Sequence, residues 1–189
     1  MEKFLKEANE LAYIEVEKTN MPIKQHVDLA KEIGKRIAKE LNANTDIVEA
    51  GTLLMDCLIG QALKENRSSE HVQMSLLKAN ELLEKSSLEE AERNNIRHCI
   101  EEHHGVEKFY SLESEICCNA DCYRFVSIRG FTYALRYLRE REMPFEDLIK
   151  LLNSKVDEKW NAISLDIVRE ELKPQYEIIL GVLRYLKES

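Results

Sequence analysis

Between residues 22 and 42 the side chains Ile23, Val27, Ala30, Ile33, Ile37, Ala38 and Leu41 recur at helical steps. They form one apolar stripe of 3.6-residue period that a strand does not produce. The same period places Phe4, Leu5, Ala8, Leu11 and Ala12 on one face of residues 4–18. It also places Val72, Leu76, Ala79 and Leu83 on one face of the segment opened by Ser68 or Ser69. No segment alternates as a half-buried strand does, and 6 glycines and 3 prolines leave few breaks. The class that follows is all-α, and 189 residues suffice for one domain with a real core.

Local signals divide the chain. Asn44, Thr45 and Asp46 offer N-caps for a segment ending near Gly60. Ser87-Leu-Glu-Glu90 has the spacing of a capping box, opening a helix that Gly105 can close. A further helix runs from about Leu112 to Ser127, with Gly130 interrupting or ending it. Met143-Pro144 and Lys173-Pro174 each suit a proline in a first helical turn. The net charge of −8 and the lack of a basic stripe argue against a nucleic-acid partner. MEKFLKEANE lacks the apolar core of a signal peptide, and no apolar run approaches the roughly 20 residues of a membrane span. Cysteines at 57, 99, 117, 118 and 122 have no zinc-ribbon spacing. A cytoplasmic protein with reduced thiols is expected.

Against this apolar background some side chains are out of place. Asp56 stands in TLLMDCLIG, surrounded by Leu53, Leu54, Met55, Cys57, Leu58 and Ile59. A carboxylate there needs a charge, a donor or a metal to offset its desolvation. Asp121 repeats the anomaly in ICCNADCYRFV, and His26 interrupts the stripe between Ile23 and Val27. In NIRHCIEEHHG the apolar residues Ile96, Cys99 and Ile100 turn His103 inward, leave His104 at the boundary and point His98 to solvent. His71 opens its helix and reads equally as exposed or inward. A buried ion pair would account for Asp56, and hydrogen-bonded core would account for His26. Carboxylates and imidazoles converging from several helices are also how a bundle builds a metal site.

In this order the residues resemble the HD-domain superfamily of metal-dependent phosphohydrolases, an all-α fold. IKQHVDLAKEIGKRIA resembles its first histidine helix, at His26, and AGTLLMDCLIG resembles its His-Asp element, at Asp56. SEHVQMSLLKANELL and IRHCIEEHHG resemble the two intermediate histidine elements of two-metal members, at His71 and at His103, with His104 as second choice. LESEICCNADCYRFVSIRGF resembles the segment of the last ligand, at Asp121, and KVDEKWNAISLDIVREELKPQYEIIL resembles the C-terminal helices of small members. The likeness spans about residues 20–185. It implies a single-domain helical bundle: residues 1–20 a helix packed on the core, 21–140 the HD-like core, and 141–189 C-terminal helices of the same domain.

The chain departs from that pattern in two places. Met55 stands where the histidine of the His-Asp pair belongs, and a thioether is a poor ligand for hard or borderline ions. Cys122 and Tyr123 follow Asp121 where many small members carry a basic residue. The resemblance implies a divalent ion (Mn, Mg, Fe or Zn) held among His26, Asp56, His71, His103 and Asp121. It implies hydrolysis of a small phosphate ester or nucleotide, with Asp56 or Asp121 as proton acceptor and Lys24, Lys108, Arg124 or Arg129 as cations for the phosphate. The half using Asp56, His71 and His103 is complete, and the half using His26 and Asp121 is depleted. The alternative is a catalytically degenerate HD fold that binds a ligand or partner, with His26 paired to Asp56 or Asp121. An oxygenase role, known for some two-iron members, would need the histidine that Met55 replaces. A homodimer through the N-terminal helix or the last helices is compatible with their mixed faces.

Overall fold

The computed structural model describes residues 1–139 and 143–188, and among them are ten α-helices, one short 3₁₀ turn and no strand. In chain order these are α1 (Glu2–Thr19), α2 (Lys24–Glu40), α3 (Thr45–Leu54), α4 (Ile59–Lys64), α5 (His71–Leu83), α6 (Glu90–Glu101), α7 (Leu112–Val126), α8 (Ile128–Arg139), α9 (Phe145–Ala162) and α10 (Asp166–Glu188). The boundary expected between residues 140 and 141 lies outside the described residues.

The helix α7 is central because its middle is packed on every side. Ile116 through Arg124 are all buried, and the helix touches α2, α3, α6, α8, α9 and α10. Any polar residue between Ile116 and Arg124 therefore meets other helices rather than water, which is the setting of Asp121. The stripe on α2 packs on α3 and α7, and α3 packs on α6. Gly51 makes the meeting of α3, α6 and α7 possible. A Cβ there would stand 2.5 Å from Cys99 Cβ and 2.7 Å from Cys117 Sγ.

On α1, Phe4, Ala8, Ala12 and Val16 are buried against the main core, so this helix covers it. Burying a phenylalanine such as Phe4 contributes on the order of 1.5–3 kcal/mol. A second apolar cluster joins α8, α9 and α10 through Phe131, Leu138, Leu148, Leu152, Ile179 and Leu183. All five cysteines are buried and none is paired in a disulfide.

Several boundaries differ from expectation for local reasons. Asn44 caps α3 by accepting from the Asp46 and Ile47 amides, but the helix stops at Leu54 rather than near Gly60. Residues 55–58 form a turn, which takes Asp56 off the helix before α4 begins. The capping box belongs to Glu89 and Glu92 instead of Ser87 and Glu90, so α6 starts at Glu90. The break after α7 is at Ser127, whose backbone is extended, and Gly130 lies within α8. Gly130 is there because a Cβ would collide with the carbonyls of Tyr123 and Arg124. Pro144 precedes α9 as its N-cap, whereas Pro174 falls inside α10, which continues through it without that amide's bond.

Candidate metal centre

The turn after α3 directs Asp56 into the core, where the residue is 6% exposed. Its Oδ1 lies 3.3 Å from His71 Nε2 and 3.4 Å from His103 Nε2, while its Oδ2 accepts from Arg124 Nη1. Both imidazoles are oriented from behind. His71 Nδ1–H donates to the Ser68 carbonyl at 2.7 Å, and His103 Nδ1–H donates to the Ile100 carbonyl at 2.7 Å. These bonds fix the tautomer that leaves each Nε2 facing the carboxylate, as outer partners do for metal-ligating histidines.

His103 and His104 are adjacent in sequence, yet both reach this place. On a continuing helix neighbouring side chains diverge, but α6 ends at Glu101 and residues 102–104 turn toward Gly105, whose φ of +94° suits only glycine comfortably. Lys159 Nζ donates to His104 Nδ1 at 2.8 Å, so the ring proton sits on Nε2, which donates to His71 Nε2 at 2.9 Å. Burial pushes the His104 pKa down, keeping the ring neutral. His104 Nδ1 is also 3.5 Å from Glu158 Oε1, but the shorter lysine contact decides the tautomer.

Asp56, His71, His103 and His104 form a group whose ligand atoms lie within 4.8 Å of one another. Asp56 Oδ1 and His103 Nε2 are buried and make no hydrogen bond. Leaving such atoms unsatisfied is costly, and one carboxylate with imidazole nitrogens is a donor set for Zn, Mn or Fe. The residues therefore fit a divalent ion on this side of Asp56.

The other half is built differently. His26 is buried on α2, with its ring edge-on to Phe125 at 5.4 Å, and Nε2–H donates to the Gly130 carbonyl at 3.1 Å. Burial, reinforced by the charge of Arg124, pushes its pKa down to about 3, so it is neutral. It pairs with neither Asp56 nor Asp121 as an imidazolium. Asp121 has a cation on each oxygen. Arg124 Nη1 donates to Oδ1 at 2.6 Å, and Lys159 Nζ lies 2.6 Å from Oδ2 in an ionic contact outside hydrogen-bond geometry. Burial pushes both carboxyls up, but Lys159 and Arg124 at Asp121, and Arg124 at Asp56, outweigh it and hold both well below the usual range.

Sequence reasoning missed Lys159. Its signal was present, since it extends the buried stripe Leu148, Leu152, Val156 of α9 by one further helical step. Arg124 is not a free phosphate ligand, being 5% exposed and held by two carboxylates. Lys24 and Arg129 are engaged on the surface with Asp28 and Glu32. His98 stands away from the cluster, stacked on Tyr110 with 4.0 Å between ring centres.

A cleft of about 430 Å³ opens beside the cluster, lined among others by His104, Phe109, Glu158, Asn161 and Ser164. Among the described residues no helix is long and apolar enough to cross a membrane.

No protein-family model and no curated protein matches the sequence. The fold does match solved structures. A predicted HD superfamily hydrolase from an uncultured Thermotogales bacterium superposes with a TM-score of 0.69 at 15% identity, over 97% of this chain and 91% of that one. YpgQ from Bacillus subtilis gives 0.67 at 18% identity, over 98% and 96% of the two chains. YpgQ in complex with ADP gives 0.65 at 17% identity, over 98% and 95%. These superpositions give the chain the all-α fold of the HD-domain superfamily.

Proposed function

We propose that the protein is a metal-dependent phosphohydrolase of HD type acting on a small phosphate ester or nucleotide. The observation that carries this reading is the convergence of Asp56 Oδ1, His71 Nε2 and His103 Nε2, two of them buried without a hydrogen bond. Asp56, His71 and His103 would hold one divalent ion, which when bound supplies a Lewis acid and lowers the pKa of water.

The chain's own residues do the rest. Ser68 and Ile100 carbonyls keep both ligand rings aimed. Once His71 Nε2 is engaged, His104 loses that acceptor, and its Nε2–H is released as a donor toward a substrate oxygen in the cleft. Lys159 keeps that proton on Nε2 by donating to Nδ1. Asp121, with a cation on each oxygen, and Asp56, with Oδ2 on Arg124 and Oδ1 facing the ion site, are both weak bases that stay ionised. Glu107 and Glu158 line the cleft and repel phosphate, which orients that group toward the imidazoles and leaves Asn161 and Ser164 for hydroxyl or base groups. The cleft lies within the usual size range of small-ligand sites, and the ADP bound to a structural neighbour supports a phosphorylated ligand.

A second reading has its own support. Arg124 and Lys159 already neutralise Asp56 and Asp121, so the same cleft serves equally as a binding module without turnover. Chelator-treated protein reloaded with Mn, Mg, Fe or Zn and offered phosphate esters and nucleotides separates the two. Turnover that requires the ion and disappears in Asp56→Asn supports hydrolysis. Ligand binding without turnover, at every metal, supports the module.

A further inference from the structure

A single guanidinium nitrogen, Arg124 Nη1, donates to Asp56 Oδ2 and to Asp121 Oδ1, the two carboxylates on either side of the depleted half. We propose that Arg124 is a resident cation standing where a second metal ion would sit, and that it excludes that ion from the His26, Met55 and Asp121 side. The inference rests on the reading of Asp56, His71 and His103 as a metal centre, and it assigns that centre a single ion.

Each potential donor on the Arg124 side is already committed. Asp121 Oδ1 is on Arg124 and Oδ2 on Lys159, and Asp56 Oδ2 is on Arg124. His26 spends its Nε2 on the Gly130 carbonyl. Met55, 1% exposed, contributes only a thioether. Arg124 keeps its charge, since a guanidinium is not deprotonated in proteins. Nor has it a route to water, being 5% exposed on the central helix. On the opposite side of Asp56 no fixed cation is in place: Oδ1 and His103 Nε2 lack hydrogen bonds and Oδ1 faces only imidazoles, whereas Asp121 Oδ2, which also lacks one, has the Lys159 ammonium at 2.6 Å. A fixed cation in place of an ion also accounts for Met55, since a site that holds no metal has no need of a histidine there. Arg124 is thus a positioning residue: by occupying Oδ2 it turns Oδ1 toward the imidazoles.

The test counts Mn(II) ions bound to the full chain after chelator treatment, by calorimetric titration and by electron paramagnetic resonance, with folding checked by circular dichroism. The wild type is expected to take about one ion, giving the spectrum of an isolated Mn. The double variant Met55→His with Arg124→Ala removes the cation and restores the ligand, and it is expected to take about two. Two ions in the wild type, or one in the wild type and still only one in the folded double variant, overturns the inference, the latter leaving the single-metal reading intact. No ion in the wild type but one in the double variant refutes the Asp56–His71–His103 centre and supports exclusion by Arg124, whereas none in either refutes both. If the double variant does not fold, Asp121→Asn decides. Mn affinity within tenfold of wild type is expected for a residue that is not a ligand, and a larger loss overturns the inference.

Discussion

Lys159→Met is the sharpest perturbation of the buried charge network. Lys159 is 2% exposed, with its ammonium 2.6 Å from Asp121 Oδ2 and 2.8 Å from His104 Nδ1. Methionine keeps much of the volume but removes the charge, leaving Asp121, also 2% exposed, with Arg124 on one oxygen only. Breaking a buried pair from one side costs about 3–5 kcal/mol, and the remaining arginine places this case near 3. The unfolding entropy of 189 residues is roughly 0.4 kcal/mol/K, so about 3 kcal/mol lowers Tm by about 7 °C. Adding Asp121→Asn removes the stranded charge, and the double variant should lose at least ~1 kcal/mol less than the two single losses combined. The Asp121 carboxyl is held low in the fold, so its contribution is fully present above its unfolded pKa of about 3.9 and fades as pH falls through the lower folded value. The Lys159→Met deficit should therefore be full at pH 7 and shrink in acid. Urea and thermal unfolding at pH 7 and at about pH 3 measure it. A loss below about 1 kcal/mol at pH 7, the size of an exposed pair, would refute the buried-network account.

Other perturbations test separate parts of the structure. His26, neutral with its pKa near 3, binds fewer protons folded than unfolded between about pH 3 and 6.5, so stability falls there by up to about 1.4 kcal/mol per unit as pH drops. Histidine NMR should find its ring uncharged at pH 5, and an imidazolium signal at that pH contradicts its burial beside Arg124. Gly51→Ala should cost about 1–3 kcal/mol by overpacking against Cys99 and Cys117. Gly181→Ala, with open space at its Cβ, should instead gain about 0.5–1 kcal/mol from helix propensity, as paired urea melts would record. Asn44→Ala should lose about 1 kcal/mol with the cap to the Asp46 and Ile47 amides, and an unchanged midpoint would place the cap elsewhere.

The residues that could be read in advance were those at odds with their own segment. Asp56 was visible because every neighbour in its run is apolar, and His26 because helical period assigns it to the α2 stripe. That period also gave α7 nearly to the residue. What the sequence did not show was who meets whom. Lys159 and Asp121 belong to different helices, and only the packing of α9 on α7 makes them partners. His71 read as ambiguous because its helix begins at that residue, where period carries little information. His104 was placed at the boundary by assuming that α6 continues; the turn before Gly105 is what brings it inward beside His103. Arg124 looked available for phosphate because nothing local reveals that Asp56 and Asp121 enclose it.

The central claim is that Asp56 divides its two oxygens between a fixed arginine and one metal ion. A crystal grown with Mn(II) and measured at its absorption edge tests this most directly. The account predicts one anomalous peak within coordination distance of Asp56 Oδ1, His71 Nε2 and His103 Nε2, with Arg124 still on Oδ2. A peak on Asp121 and His26 with Arg124 displaced, or no peak within reach of Asp56, would contradict it.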